Sequence, residues 1–120
     1  MCRSSAYTRS VSKQSMQEPT FLILTALAAG AQHGYGIMTD VARISDGRVR
    51  LRAGTLYAAL DRLKADGLVT SDKEEIVDGR LRRYYRITDE GTQELAAEVR
   101  RLRANAAVAA TRLGLAGGAA

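Results

Sequence analysis

The sequence contains little of several residue types, and each scarcity excludes a class of protein. Among the 120 residues there are one cysteine, one histidine, one proline and no tryptophan. Because Cys2 and His33 stand alone, an internal disulfide framework and a Cys/His zinc site are excluded, and no metal or cofactor is expected. The apolar run Phe21–Ala31 is shorter than the roughly 18–20 residues of a membrane helix and lacks a secretory cleavage pattern. We therefore expect a soluble protein in the reducing cytoplasm, without a membrane partner.

The motifs of common catalytic sites are also missing from the sequence. It contains no Walker-type phosphate loop, no GxSxG elbow, no HExxH helix and no Cys–His pair. Acidic residues do cluster at Asp72, Glu74, Glu75 and Asp78. Exposed carboxylates on a hairpin are more typical of solvated charge than of a catalytic dyad. The sequence predicts a protein that is not an enzyme.

Positive charge is the first feature that the sequence does have. Lysine and arginine number 18 against 13 aspartates and glutamates, so the net charge is +5 and the pI is about 9.8. This balance favours a polyanionic partner. A chain of 120 residues fits one domain with one modest core. The basic, serine-rich residues 1–16 predict a flexible N-terminal arm, and residues 114–120 predict a disordered tail.

Apolar periodicity predicts two helices and a short strand in the first half of the chain. Pro19 suits the first turn of a helix, and apolar residues surround this helix on most sides, so it should be largely buried. Ile37, Val41 and Ile44 recur with helical spacing and predict one face of a second helix. Strict alternation over Arg48–Arg52 then predicts a strand with its three arginines on one face.

A third helix and a hairpin are predicted next. Leucines at helical spacing indicate a helix over about 55–66, which ends at a glycine. The Asp78-Gly79 pair stands between two alternating segments, 68–75 and 80–88. This dipeptide is the strongest short hairpin signal in the chain.

The last part of the sequence predicts a single long helix with a coiled-coil seam. Thr88 is a good N-cap, and a helix from Thr88 to Leu113 would be about 39 Å long. Its apolar positions are separated by steps of 4, 3, 4, 3 and 4 residues, an average typical of coiled coils. Such a seam needs a partner, and a second copy of the chain is the simplest one. The first helix should contribute too, because its apolar surface exceeds what one domain can cover. The predicted dimerisation residues are Phe21, Leu95, Val99, Leu102, Ala106, Ala109 and Leu113.

Together these elements have the order of a winged helix-turn-helix. The predicted fold is mainly α with a small β-wing: a winged helix-turn-helix domain over 17–88 and a long C-terminal dimerisation helix over 89–113. In such a module the third helix enters the major groove of double-stranded DNA, and the hairpin, or wing, reaches the neighbouring phosphates or the minor groove. The organisation predicts a sequence-specific DNA-binding homodimer in the cytoplasm, associated with the nucleoid.

The positions of the cationic residues agree with this fold. Three arginines precede the third helix and four lie on the wing, where most should contact phosphates and supply affinity without sequence information. On the third helix, Ala58 and Ala59 are predicted to face outward and allow close approach, while Arg62 can bind a guanine edge. The candidate DNA-binding residues are Arg48, Arg50, Arg52, Thr55, Ala58, Ala59, Arg62, Lys64, Arg80, Arg82, Arg83 and Arg86.

Several motifs of the sequence resemble those of the PadR family of bacterial winged-helix transcriptional regulators, in the order and spacing of that family. The resemblance covers roughly residues 18–112. It is carried by HGYGI at 33–37, GTLYAALDRL at 54–63, DGLV at 66–69 and GRLRRYYRITDEG at 79–91.

The resemblance implies a homodimeric repressor that binds an inverted-repeat operator and often releases it when a small-molecule effector binds. It also implies that Tyr35 and Tyr57 lie near the DNA backbone, and that Tyr85 and Thr88 anchor the wing to the final helix. Two features depart from the usual family pattern. Ala58 stands where the family often has proline, and the region after Thr88 is a single helix, as in the shorter-tailed branch.

Other interpretations of individual residues remain open. His33 could sense pH or a ligand, although a single histidine before a helix is more often a cap or a packing residue. Cys2 could be a redox switch, but it lies in the predicted arm, where an incidental thiol is the simpler interpretation. Arg83 and Tyr85 could be half-buried neighbours of the core instead of DNA contacts. The whole dimer could also bind protein or structured RNA instead of DNA.

Overall fold

The computed structural model describes residues 16–115, which form four helices and one three-stranded antiparallel sheet. Most of the predicted arm, including Cys2, and the tail from residue 116 lie outside the described residues. The predicted fold class, mainly α with a small β-wing, is confirmed. In chain order the elements are α1 (Glu18–Ala28), β1 (Gln32–His33), α2 (Gly34–Ile44), α3 (Ala53–Ala65), β2 (Val69–Val77), β3 (Arg80–Ile87) and α4 (Asp89–Leu113).

The helix α1 lies at the centre of the hydrophobic core. It packs against α2, α4 and β3, and five of its apolar residues, Leu22, Ile23, Leu24, Ala26 and Leu27, are buried. The expectation that its apolar surface exceeds what one domain can cover is therefore wrong, because the chain's own elements surround it. The other elements contribute to this core mainly through Ile37, Val41, Leu56, Leu60, Leu63, Val69 and Tyr85.

The segment between α2 and α3 differs from its prediction. Residues 48–52 form neither a strand nor a helix. Instead, the Oγ of the buried Ser45 accepts a hydrogen bond from the Val49 N–H at 2.9 Å and donates one to the Val41 carbonyl at 2.9 Å. The alternation itself holds, because Val49 packs against the core while the arginines are exposed. Ile44, predicted on the core face of α2, is exposed.

The third strand of the sheet is the two-residue β1, which the sequence did not predict. The strand order is β1-β3-β2, and Gln32 lies opposite Tyr85 while His33 lies opposite Tyr84. The Gln32 side-chain amide donates to the Ala26 carbonyl at 2.9 Å and so joins this strand to the end of α1. Two residues are too few for any periodicity to reveal them.

The hairpin of β2 and β3, called the wing below, is confirmed. Asp78 and Gly79 have φ values of 53° and 77°, as the two central residues of a type I′ turn require. Val77 then pairs with Arg80, and the register is irregular only between Ser71 and Glu74. The predicted turn therefore fixes which side chains of the wing lie opposite each other.

The start of α4 is held against the end of α3 by Thr88. Its Oγ accepts a hydrogen bond from the Gly91 N–H at 3.0 Å and donates one to the Gly67 carbonyl at 2.7 Å. Its own N–H donates to the Leu68 carbonyl at 3.0 Å. Thr88 is thus the N-cap of α4, as predicted, and its hydrogen bonds tie the start of this helix to residues 67 and 68.

The apolar stripe of α4 falls into two parts. At the start of the helix, Leu95 packs against the core of its own domain, as does Phe21 of α1, and Val99 is half-buried. Farther along, Leu102, Ala106, Ala109 and Leu113 are exposed. The helix ends at Gly114, whose φ is 78°. Within residues 16–115, no helix is long and apolar enough to cross a membrane.

Candidate nucleic-acid interface

A cleft of about 520 Å³ lies between the wing and the starts of α2 and α3. We call it the wing cleft. It brings together two tyrosines from the helices, Tyr35 and Tyr57, and three arginines from β3, namely Arg80, Arg82 and Arg83. All five are among the residues proposed from the sequence, although no periodicity places the tyrosines and the arginines beside each other. The cleft is lined mainly by cationic and aromatic groups, which are the groups that bind phosphates and sugars, and Asp78 of the turn is the one carboxylate among its lining residues.

The position of Tyr57 in this cleft depends on a glycine. A Cβ atom added at the buried Gly34 would lie 2.2 Å from the Tyr57 hydroxyl oxygen. The first glycine of the HGYG motif therefore gives the phenol its space, while the ring centroid of Tyr57 lies 6.5 Å from that of Tyr85. Tyr35 follows Gly34 and is strongly exposed. The motif thus positions one tyrosine by packing and presents another to solvent.

His33 lines the same cleft and caps α2. Its Nδ1 accepts a hydrogen bond from the Gly36 N–H at 3.3 Å, and its ring meets that of Tyr84 edge to face at a centroid distance of 5.3 Å. Partial burial and the nearby positive charge of Arg82 lower the pKa of His33 from 6.5, against a smaller opposing effect of Glu75. The neutral ring is thus the form that fits this place, which supports the cap interpretation of His33.

The lowered pKa makes the stability of the fold sensitive to acid. The unfolded chain binds a proton at His33 near pH 6.5, whereas the folded chain does so only at lower pH. The contribution of His33 to stability is therefore complete above this value and is lost as the pH falls toward the folded pKa. We expect the free energy of unfolding to decrease between about pH 7.5 and pH 5.5 more in the native chain than in His33→Asn, since asparagine caps a helix without titrating. Urea unfolding at both pH values measures this, and parallel curves would contradict it.

The exposed face of α3 is occupied by small residues and one carboxylate. Ala58 is exposed as predicted, but Ala59 is buried with Leu56, Leu60 and Leu63, so its predicted outward position is wrong. The core side of a helix spans more than the leucine positions, and at about 100° per residue Ala59 falls within that side. The same geometry places Asp61 opposite the core. Sequence reasoning missed Asp61, although a helical projection of α3 would have found it.

Arg62 and Lys64 lie on opposite flanks of α3. The Lys64 ammonium donates to the Ser71 hydroxyl of the wing at 2.9 Å. Arg62 faces the other way and lines a second cavity, of about 390 Å³, together with Glu94 and Glu98 of α4. Thr55 is exposed near the start of the helix. Of these three residues, only Lys64 contacts the wing.

The arginines of the proposed interface fall into two groups. Three have a carboxylate partner: Arg48 lies 3.6 Å from Glu18, Arg83 lies 3.2 Å from Glu74, and Arg86 lies 3.4 Å from Asp72. A hydrogen bond with Tyr85 and the neighbouring Glu74 raise the pKa of Arg83. Arg83 is exposed and Tyr85 is buried, so only the tyrosine is a core residue.

The second group contains five arginines that have no acidic partner among residues 16–115. Their guanidinium groups are the ones available to a polyanion. Arg82 of this group is half-buried and the others are exposed. Sequence reasoning did not distinguish the groups. The register places Glu74 opposite Arg83 and Glu75 opposite Arg82, but of these two pairs only Arg83 and Glu74 form an ion pair. The register alone therefore does not separate the groups. The second group consists of Arg50, Arg52, Arg62, Arg80 and Arg82.

Comparison with known proteins places this arrangement in a family. Residues 23–97 match the Transcriptional regulator PadR-like family. The chain is 40% identical over 80 residues to Transcriptional regulator Rv3488 of Mycobacterium tuberculosis, covering 67% of this chain and 71% of that protein.

Solved structures support the same conclusion. A PadR family transcription regulator from Clostridium difficile superimposes with a TM-score of 0.68 at 26% identity, over 81% of this chain and 99% of that one. Bacillus subtilis PadR in complex with operator DNA shares the fold, with a TM-score of 0.62 at 24% identity, over 69% of this chain and 47% of that longer chain. Since the family match extends over more than half of its residues, the chain belongs to the PadR-like family of transcriptional regulators.

Proposed function

We propose that two copies of this chain bind one double-stranded DNA operator with an inverted repeat and repress transcription there. The observation that carries the proposal is the wing cleft, where Arg80 and Arg82, which have no acidic partner among the described residues, lie beside Tyr35 and Tyr57. The arginines bind phosphates and the phenols contact the backbone. Bacillus subtilis PadR, which shares the fold, is in complex with operator DNA, and this supports DNA as the partner.

The recognition step belongs to α3. Its exposed face carries Ala58 and Asp61, and Thr55 and Arg62 lie on one flank. Small residues allow the helix backbone to approach the floor of the major groove, where Arg62 can donate to guanine and Asp61 can accept from the amino group of cytosine. Arg50 and Arg52 precede this helix and contact the phosphates at the edge of the groove.

The dimer is formed by the exposed part of the α4 stripe, Leu102, Ala106, Ala109 and Leu113. These positions share one side of the helix and are exposed. Pairing two such helices buries both stripes, with Val99 continuing the seam toward the domain. Phe21 and Leu95 lie at the base of the seam, where they already contact the core.

The second cavity is the place where a small-molecule effector would bind and release the DNA. It separates α3 from α4 and is lined by Arg62, Arg101, Glu94 and Glu98 along with apolar groups. Glu98 is buried and paired with Arg101. A polar effector with charges of both signs would contact Arg62 there and so compete with its contact to DNA.

Two arginine substitutions test the proposal. Arg82→Ala removes a phosphate contact, so affinity for specific and random duplexes should fall equally, by about tenfold, and the slope of log K against log salt should decrease by about 1 per site. Arg62→Ala removes a base contact, so discrimination between the operator and random duplex should fall by about tenfold. Arg100→Ala removes an equal charge on the exposed side of α4 and is the matched control. It should leave the affinity and the discrimination between duplexes unchanged.

The operator is obtained by selection from a random duplex library with the native protein. Binding is then measured by fluorescence anisotropy at several salt concentrations, with structured RNA as a competitor. A preference of roughly 10³-fold or more for the selected duplex is expected. Failure to enrich any sequence, or equal competition by RNA, would overturn the proposal in favour of an interaction module.

A further inference from the structure

The second cavity lies where the described part of the chain begins. It has a volume of about 390 Å³ and is bounded by the start of α1, the end of α3 and the first half of α4. Met16, the first described residue, lines this cavity and packs against the hydrophobic core. The chain therefore enters the domain at the cavity, and the residues just before Met16 are next to it.

The lining of the cavity is more acidic than basic. Its carboxylates belong to Asp66, Glu94 and Glu98, and its guanidinium groups belong to Arg62 and Arg101. Asp66 is also the C-cap of α3, so the partial negative charge at the end of this helix adds to the charge of the carboxylates. The cavity therefore favours an occupant with positive charge.

Apolar groups form another part of the lining. Leu63 is buried, Leu68 is half-buried, and the methyl group of Ala97 is exposed on α4. The carboxylate of Glu98 is buried among them and is paired with Arg101. An occupant that has aliphatic as well as cationic side chains fits a lining of this kind.

The residues that precede Met16 have the composition that the cavity favours. Residues 1–15, which we call the leading segment, contain three basic residues and no aspartate or glutamate. Lys13 is three residues from Met16, a span of about 10 Å in an extended chain, and Val11 is five residues away, a span of about 17 Å. Both side chains are therefore within reach of a cavity that Met16 itself lines.

We infer that the leading segment of each chain binds in the second cavity of its own domain, with the Lys13 ammonium at Glu94 and the Val11 side chain against Leu68. The ion pair and the burial of aliphatic groups both favour this contact. The short tether gives the segment a high effective concentration at the cavity, so weak contacts are enough to hold it there.

The binding of the leading segment does not depend on DNA, but its regulatory consequence rests on the proposed function. An effector that enters the second cavity has to displace the leading segment. The segment is therefore a built-in competitor of the effector, and its removal raises the affinity of the cavity for any cationic ligand of similar size.

Trypsin cleavage of the native chain tests the inference, because trypsin cuts after Lys13. A bound segment is cut only when it leaves the cavity, so the cleavage rate follows the population of the released state. Glu94→Gln removes one charged contact and should raise the rate about threefold to fivefold. Ala97→Leu fills part of the cavity and should raise the rate about tenfold, since overpacking costs more than the loss of one exposed ion pair.

Each variant has a matched control in the same chain. Asp61→Asn removes the same charge from an exposed position of α3 that does not line the cavity. Ala104→Leu adds the same side chain as Ala97→Leu, seven residues farther along α4 and outside the cavity. Both controls should be cut at the native rate. Mass spectrometry identifies the product that begins at residue 14 and separates it from products of cuts inside the folded domain, which would report unfolding instead.

A disulfide test identifies whose cavity is occupied. In a Cys2→Ser background, Val11→Cys combined with Ala97→Cys should form a disulfide under mild oxidation, and the product should keep the mass of one chain in denaturing electrophoresis. The control pair, Val11→Cys combined with Ala104→Cys, should form its disulfide at least about tenfold more slowly, because the bound segment holds Val11 at the cavity.

Three outcomes would overturn the inference. The first is an equal cleavage rate in the native chain and in both cavity variants. The second is a disulfide that joins two chains, because the leading segment would then occupy the cavity of a second copy. The third is protection of Lys13 that begins only when the selected operator is added, which would assign the segment to DNA phosphates. The first two measurements contain no DNA, so their failure leaves the proposed DNA binding unchanged.

Discussion

Leu102→Glu is expected to convert the dimer into a monomer and to lower operator affinity by about 100-fold or more. A glutamate at this position would place a carboxylate in the apolar seam, where the cost of its desolvation opposes pairing. Each monomer would then bind one half-site alone. The gain in effective concentration that links two half-sites, commonly a factor of about 10² to 10⁴, would be lost.

The structure makes this substitution a clean test, because 45% of the Leu102 surface is exposed in the single chain. Its replacement therefore leaves the domain core intact. Val108→Glu is the matched control: it is 52% exposed on the same helix and lies about 120° away around the axis from Leu102. It should stay dimeric and keep operator affinity.

Sedimentation equilibrium gives the oligomeric state, and anisotropy with the selected operator gives the affinity. A Leu102→Glu protein that remains a dimer would refute the seam. If both variants become monomeric, the dimer contact surrounds the helix instead of following the stripe.

Gly91→Ala is expected to destabilise the fold by about 3 kcal/mol, in the upper range for overpacking. A Cβ at Gly91 would lie 2.1 Å from the Leu68 carbonyl oxygen and 2.8 Å from Cγ1 of Ile87. The carbonyl is backbone and already accepts the Thr88 N–H at 3.0 Å. The start of α4 must therefore move away from β2, which breaks the hydrogen bonds of Thr88.

Gly54→Ala provides the control for this prediction. An added Cβ at Gly54 meets no atom within 4 Å, and alanine favours a helix over glycine by up to about 1 kcal/mol. It should leave stability equal or slightly higher. Urea unfolding at one fixed protein concentration measures both changes, since dimerisation makes the midpoint concentration-dependent. Equal midpoints for Gly91→Ala and the native chain would show that α4 does not approach Leu68 so closely.

Local signals predicted most of the elements. The hairpin is the clearest case, because Asp78-Gly79 favours a type I′ turn, and the turn alone sets the register of the wing. The cap at Thr88 and the long helix after it follow from equally local preferences. The candidate interface was accessible for the same reason: a winged helix assigns the third helix and the wing to DNA before any contact is known.

The errors arose where a local pattern needed a neighbour to be interpreted. Alternation over Arg48–Arg52 correctly indicates which side chains face the core, but a strand also needs a partner, and here the Ser45 hydroxyl satisfies the Val49 N–H instead. The apolar residues around α1 predict that this helix is buried. Whether its own domain or a second copy covers it depends on how many elements pack around it. The predicted position of Ala59 was wrong because alanine is compatible with either side of a helix.

The sequence by itself determined the elements, their order, the turn, the caps and the position of positive charge, since these depend on residues a few positions apart. The tertiary structure decided which arginines are neutralised by carboxylates on the adjoining strand, which glycine makes space for a phenol, and how much of the final helix is left uncovered. Those properties depend on distances between residues far apart in the chain, and only the packed core fixes such distances.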